Sequence, residues 1–219
     1  MVNLSFDNRE GYIWYNGNIV DWRTANVHVL NHGLHYASCV FEGERAYNGK
    51  IFETEQHTTR LFKSAESLDM SIPFSENEIL EAKNALLKKN SLIDAYVRPV
   101  VWRGSEMMAV SAQTTKINVA IAVWEWPSYF DPDQKMQGIK LDIAKWKRPS
   151  PECGPVHAKA AGLYMICTLS KHEAEAKGYS DALMLDYRGQ IAEATGANIF
   201  FKMPDGKLHT RSEERRVGK

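Results

Sequence analysis

Apolar and polar positions along the chain follow two alternating rhythms, and the changes of rhythm mark out its elements. Tyr12-Ile13-Trp14-Tyr15 and Asn18-Ile19-Val20 are short β-prone runs separated by Asn16-Gly17. That dipeptide supplies the positive φ angles a two-residue turn demands, so a hairpin is predicted. Ala46-Tyr47-Asn48-Gly49-Lys50-Ile51-Phe52 repeats the device. Between the two hairpins, residues 32–43 mix aromatics and glycines without a helical period, which predicts a strand edge lining a cavity. From Thr54 to about Met70 the period becomes helical, with Leu61, Phe62, Ala65 and Leu68 forming the apolar stripe and Arg60 beside it. Ser75 followed by Glu78 is a capping box, and it opens a second helix expected to run to about Asn90.

Beyond that helix the pattern returns to strands. Ala95 to Trp102 is strand-like, but Pro99 cannot donate to a ladder, so the run is expected at a sheet edge or bulge. Ile117 to Trp124 reads as a central strand. Prolines and aromatics then break the pattern, predicting an interdomain linker over residues 125–136 between an N-terminal α/β domain (1–124) and a partial C-terminal domain (137–210). Ile139 to Trp146 alternates as a strand, and Ala160 to Lys177 is helical with Gly178 as its stop. Residues 211–219 are charged and lack any apolar period.

Composition narrows the partners. The 219 residues are 44% hydrophobic and 25% charged, ordinary for a globular enzyme, and 27 basic residues balance 27 acidic ones. A zero formal charge gives no electrostatic reason to expect nucleic acid or an anionic membrane. No apolar run reaches spanning length, and Met1 to Arg9 lacks the form of a signal peptide, so a cytoplasmic protein is expected. Cys39, Cys153 and Cys167 show no metal-ligand spacing and are expected as reduced thiols. His32 and His35 have no cysteine or acidic partner at ligand spacing, and no metal is expected.

The candidate chemistry lies between Val156 and Phe201. Lys159 sits among alanines and a glycine that leave room beside its amine, and a desolvated lysine of lowered pKa can attack an aldehyde and hold it covalently. Pyridoxal phosphate is the usual aldehyde, and its ring nitrogen needs a carboxylate to stay protonated. Glu193, with Ile191 and Thr195, shares one face of a run interleaved with the small residues Ala192, Ala194 and Gly196, which could pass close beneath a flat ring. On spacing alone, a solvated lysine and an exposed strand glutamate account for these two positions at least as well. Tyr96 and Arg98 point to one face of their strand and could grip a carboxylate, since a guanidinium offers a planar fork of donors and a phenol one more. An exposed edge arginine is the competing account.

The words His157-Ala-Lys-Ala-Ala-Gly-Leu-Tyr164, Ala182-Leu-Met-Leu-Asp186 and Ala192-Glu-Ala-Thr-Gly-Ala-Asn-Ile-Phe200 resemble the signature of the class IV pyridoxal-phosphate aminotransferases, and within them the bacterial branched-chain amino-acid aminotransferases. The likeness runs from near Tyr12 to about Thr210. It implies a mixed α/β enzyme of fold type IV with two domains, the C-terminal one incomplete. It implies pyridoxal 5′-phosphate as cofactor, with Lys159 as the catalytic amine, Glu193 at the ring nitrogen, Tyr164 at the ring oxygen and Arg60 at the phosphate. Charge alone does not prefer Arg60 to Lys63. Tyr36, Phe41, Tyr96, Arg98, Trp126 and Tyr129 become substrate-pocket residues, Tyr36 reaching the neighbouring subunit's site in a homodimer. The implied reaction exchanges amino groups between leucine, isoleucine or valine and 2-oxoglutarate. D-amino-acid aminotransferases and aminodeoxychorismate lyases share the lysine and glutamate words; an inactive remnant is the non-enzymatic alternative. The family's glycine-threonine phosphate-binding helix start and its later glycine-threonine-alanine loop have no counterpart here, so the resemblance implies a C-terminally truncated chain with residues 211–219 as a non-native tail.

Overall fold

The computed structural model describes residues 5–126 and 136–210. The chain falls into two compact units: Met1–Pro127 with Ala158–Ala161, and Ser128–His157 with Gly162–Lys219. In chain order the first unit contains β1 (Tyr12–Tyr15), β2 (Asn18–Asp21), α1 (His32–Tyr36), β3 (Cys39–Phe41), β4 (Glu44–Tyr47), β5 (Lys50–Ile51), α2 (Thr54–Glu66), α3 (Glu76–Lys89), β6 (Ala95–Arg103) and β7 (Ile117–Trp124). The strands form one antiparallel sheet in the order β2-β1-β7-β6-β4-β5, with β3 also paired to β6.

Both Asn-Gly hairpins form, with φ of 46° and 91° at Asn16 and Gly17 and 50° and 75° at Asn48 and Gly49. The Ser75 capping box is complete. Helix α2 packs on α3 and β3, and α3 on β1 and β7. Leu61, Ile79, Leu86, Val97, Val101, Val119 and Ile121 fill the core between them, each fully buried.

Three expectations change. Residues 32–36 form one helical turn rather than a strand edge, tied by the His32 N–H to the Gly104 carbonyl and by stacking of His32 on Tyr36 at 4.6 Å. Helix α2 ends at Glu66, four residues before Met70, and the chain turns through Asp69 at φ 55°. Pro99 lies inside the central strand β6, opposite Ile121 of β7. It is tolerated because β3 pairs with residues 100–102 and β4 with residues 95–97, so Pro99 faces the gap between them, where its carbonyl still accepts the Glu42 N–H at 2.9 Å.

The second unit contains β8 (Leu141–Ile143), α4 (Met165–Ala176), β9 (Asp181–Leu185), β10 (Ile191–Ala194), β11 (Phe200–Lys202) and β12 (Leu208–Thr210). β9 pairs parallel to β8 and antiparallel to β10, and β11 and β12 form a separate hairpin. Parallel pairing needs a crossover, and α4, packed on β8 and β9, lies on it. The predicted helix opens as a 3-10 turn over Ala161–Tyr164 before α4 begins. Among the described residues, no helix is long and apolar enough to cross a membrane. Residues 127–135, most of the predicted linker, and the tail at 211–219 lie outside the described residues.

Candidate active site

Lys159 belongs to the first unit because its short extended segment docks on β3 and α2. Phe41 donates its N–H to the Lys159 carbonyl at 3.1 Å, Val40 and Ala160 form an antiparallel bridge, and the Lys159 N–H donates to Ser64 Oγ at 2.9 Å. Ala158 and Ala160 are 1% and 5% exposed, so they are small because they pack inward; Lys159, between them in an alternating segment, faces the other way and is half-buried. Its Nζ stands 5.2 Å from the centre of the Phe41 ring.

Immediately after Phe41, the wholly buried Glu42 is tied to helix α2. Arg60 on α2 donates to it twice, Nε to Oε1 at 2.5 Å and Nη2 to Oε2 at 2.8 Å, and His57 Nδ1 lies 2.8 Å from Oε2. Burial pushes the Glu42 carboxyl up, but the hydrogen bonds from Arg60 and His57, and then the charges of Arg60 and Lys159, hold it down at about 2. Two residues on, Glu44 is paired with Lys83 at 2.6 Å, both side chains fully buried, and Lys83 donates to Thr58 Oγ1 at 2.7 Å. Burial drives that pair towards its neutral forms, raising Glu44 and lowering Lys83.

The substrate candidates divide. Arg98 Nη2 donates to the Tyr96 hydroxyl at 2.8 Å, and its guanidinium lies 4.6 Å over the Phe41 ring. Tyr96 also packs on Trp126 at 5.3 Å, and the Trp126 carbonyl accepts from Arg45. Phe41, Tyr96, Arg98 and Trp126 are thus brought together. Tyr36 is held on α1, 45% exposed, its ring against His32. Tyr129 lies outside the described residues.

The second unit carries the other cofactor candidates. Glu193 on β10 accepts from Arg148 Nη2 at 2.5 Å, and the Arg148 guanidinium stands 6.0 Å from the centre of the Tyr164 ring. Arg148 is 6% exposed, and among the described residues its buried Nε has no hydrogen-bond partner. A bulge between Ile191 and Glu193 shifts the register, so that Glu193 pairs with Met184 of β9.

Sequence reasoning missed Glu42 and Arg148. Glu42 was within reach: His57 and Arg60 lie one turn apart on a helix that packs inward, and charged groups there require a buried partner. Arg148, between Lys147 and Pro149 in a stretch without periodicity, offered no such signal.

Comparison with known proteins identifies the family. The family described as amino-transferase class IV matches residues 39–217. A probable branched-chain-amino-acid aminotransferase of Rickettsia conorii is 43% identical over 205 residues, spanning 93% of this chain and 69% of that relative. The crystal structure of a T.th. branched-chain amino acid aminotransferase with pyridoxamine 5′-phosphate matches with a TM-score of 0.89 at 35% identity, over 95% of this chain and 70% of that one. The T.th. enzyme complexed with N-(5′-phosphopyridoxyl)-L-glutamate matches at 0.86 and 34%, over 95% and 69%. With the family match extending over most of its length, the chain belongs to the class IV aminotransferases.

Proposed function

We propose that the protein exchanges amino groups between branched-chain L-amino acids and 2-oxo acids, 2-oxoglutarate among them, using pyridoxal phosphate held at Lys159. The donor set fits that group. The first unit offers an amine and a guanidinium, for an aldehyde and a phosphate. The second offers a carboxylate, a phenol and a buried Arg148 Nε that has no protein acceptor. The observation that carries the reading is that Phe41 donates to the Lys159 carbonyl while the next residue, Glu42, takes both hydrogen bonds from Arg60, so that adjacent residues of one strand end support the candidate amine and the candidate phosphate ligand. The relatives above, one with pyridoxamine 5′-phosphate and one with a phosphopyridoxyl-glutamate, support the cofactor and the acceptor.

Bound pyridoxal phosphate supplies an electron sink for the bond broken at the substrate's Cα. The chain's own groups do the rest. Lys159 Nζ would hold the aldehyde and would carry the substrate's Cα proton. Arg60 binds the phosphate, Glu193 keeps the proton on the ring nitrogen, and Tyr164 donates to the ring oxygen. Arg98 and Tyr96 receive a substrate carboxylate, while Phe41 and Trp126, with Tyr36 and Tyr129, wall the apolar side chain. The protein works as a homodimer, which sedimentation of the purified protein checks.

The test is spectroscopic, then kinetic. Added pyridoxal phosphate should give the wild type a visible absorbance band that Lys159→Ala lacks. Leucine with 2-oxoglutarate should then yield glutamate. A wild type without the band, or one that turns over D-alanine and leaves leucine untouched, overturns the proposal.

A further inference from the structure

We propose that Glu42 is a positioning residue for the phosphate end of the cofactor site, fixing the guanidinium plane of Arg60; this rests on Arg60 being the phosphate ligand, as proposed above. Arg60 is 41% exposed while Glu42 is fully buried, so the arginine reaches out from an anchor that cannot follow it. The anchor is held from several sides. The Glu42 N–H donates to the Pro99 carbonyl at 2.9 Å, and Oε2 receives the Gly43 N–H at 3.3 Å and lies against His57 Nδ1 at 2.8 Å. Arg60 commits Nε and Nη2 to this carboxylate, a bidentate contact that fixes both the plane and the rotation of the guanidinium. The guanidinium plane is then set before any anion arrives. Such preorganisation removes the ordering cost that a long, half-exposed side chain otherwise meets on binding.

A second feature of the fold agrees. The peptide that places Glu42 is adjacent to the one that holds Lys159: Phe41 donates to the Lys159 carbonyl, and the next N–H, that of Glu42, donates to Pro99. Two consecutive peptides at the end of β3 therefore fix the Lys159 backbone and the carboxylate that holds Arg60, with Pro99 in the strand gap beside them. Glu42 also stays ionised, because Arg60 and His57 outweigh its burial.

The phosphate contribution can be measured without turnover. Apo full-length protein is titrated with pyridoxal phosphate and with pyridoxal, which has the same ring and aldehyde but no phosphate, and the ratio of the two dissociation constants is taken. Glu42→Gln should reduce that ratio about tenfold, the effect of one well-made charged hydrogen bond, and leave pyridoxal binding within about twofold. Arg60→Lys should do the same, since an ammonium keeps the charge but not the fork. If Glu42→Gln weakens both ligands equally, or only lowers the melting temperature, Glu42 is merely structural and the proposal falls. Tighter binding of pyridoxal phosphate by Glu42→Gln would mean that Glu42 competes with the anion, which overturns it too. Should Glu42→Gln fail to fold, Arg60→Lys decides alone, a wild-type ratio refuting the idea. A wild type that binds neither aldehyde sinks the functional reading itself, whereas a high wild-type ratio unchanged in both variants sinks only the role of Glu42.

Discussion

Two buried carboxylates two residues apart meet opposite conditions. Glu42 has more hydrogen bonds and positive charge than its burial costs, and its carboxyl falls from an ordinary 4.5 to about 2. A carboxyl depressed on folding contributes stability above its unfolded value, and that contribution is lost as pH falls through the window from about 4.5 to about 2, on the order of 3 kcal/mol in all. Urea midpoints of the wild type and Glu42→Gln should therefore converge as pH drops across that window; a constant gap would contradict the assignment. Glu44 and Lys83 are different, since burial opposes both charges. Lys83→Met alone should cost roughly 3–5 kcal/mol by stranding Glu44, while Lys83→Met with Glu44→Leu should recover most of the loss. Thermal melts of the three proteins check this. At this scale the sequence was legible where a residue belongs to a word: Lys159, Tyr164 and Glu193 stood in recognisable phrases. Glu42 stood in full view in residues 32–43 and went unread, because His57 and Arg60 call for a buried partner without naming which carboxylate, on another element, supplies it.

Among the elements, legibility followed how local the cause was. The Asn-Gly hairpins and the Ser75 cap were readable because their geometry is settled within four residues. The Pro99 strand was expected at an edge because the rule against proline in a sheet applies to a strand as a whole, whereas the structure breaks pairing at one position only, between β3 and β4. The segment crossing that gap matters for the pocket. A Cβ built on Gly43 would stand 2.0 Å from the Tyr96 hydroxyl, the group that receives Arg98 Nη2. Gly43→Ala should push the phenol aside and break that hydrogen bond, since the end of a side chain yields more easily than backbone. The expected result is a KM for glutamate raised about tenfold with kcat and melting temperature little changed. If KM holds and stability falls, Gly43 serves packing and not the carboxylate subsite.

The division of the chain into two units separates the candidate groups by task. Lys159, Arg60, Glu42 and Ser64 belong to the first unit, through the short segment Ala158–Ala161 that joins it out of sequence order; Glu193, Arg148 and Tyr164 belong to the second. No hydrophobic pattern announces such a crossing, because four residues are too few to carry a period, and alanines at 158 and 160 read equally well as loop or strand. The groups proposed to capture an aldehyde are those of the first unit. The groups that would hold charge on a pyridine ring are those of the second, and Arg148 and Glu193 there already form a nearly buried ion pair. Capture and turnover should therefore respond to different substitutions. Glu193→Ala should still take up pyridoxal phosphate and, after borohydride reduction, carry the label on the Lys159 peptide, while leucine transamination falls on the order of a hundredfold, the usual loss when a charge-stabilising group is removed. Arg148→Met should follow Glu193→Ala in losing turnover while keeping capture, because it strands the same carboxylate. Arg60→Ala should show the reverse, weak labelling at limiting cofactor and turnover restored by excess. Loss of labelling in Glu193→Ala, with the protein still folded by circular dichroism, would mean that the two tasks are not divided between the units in this way.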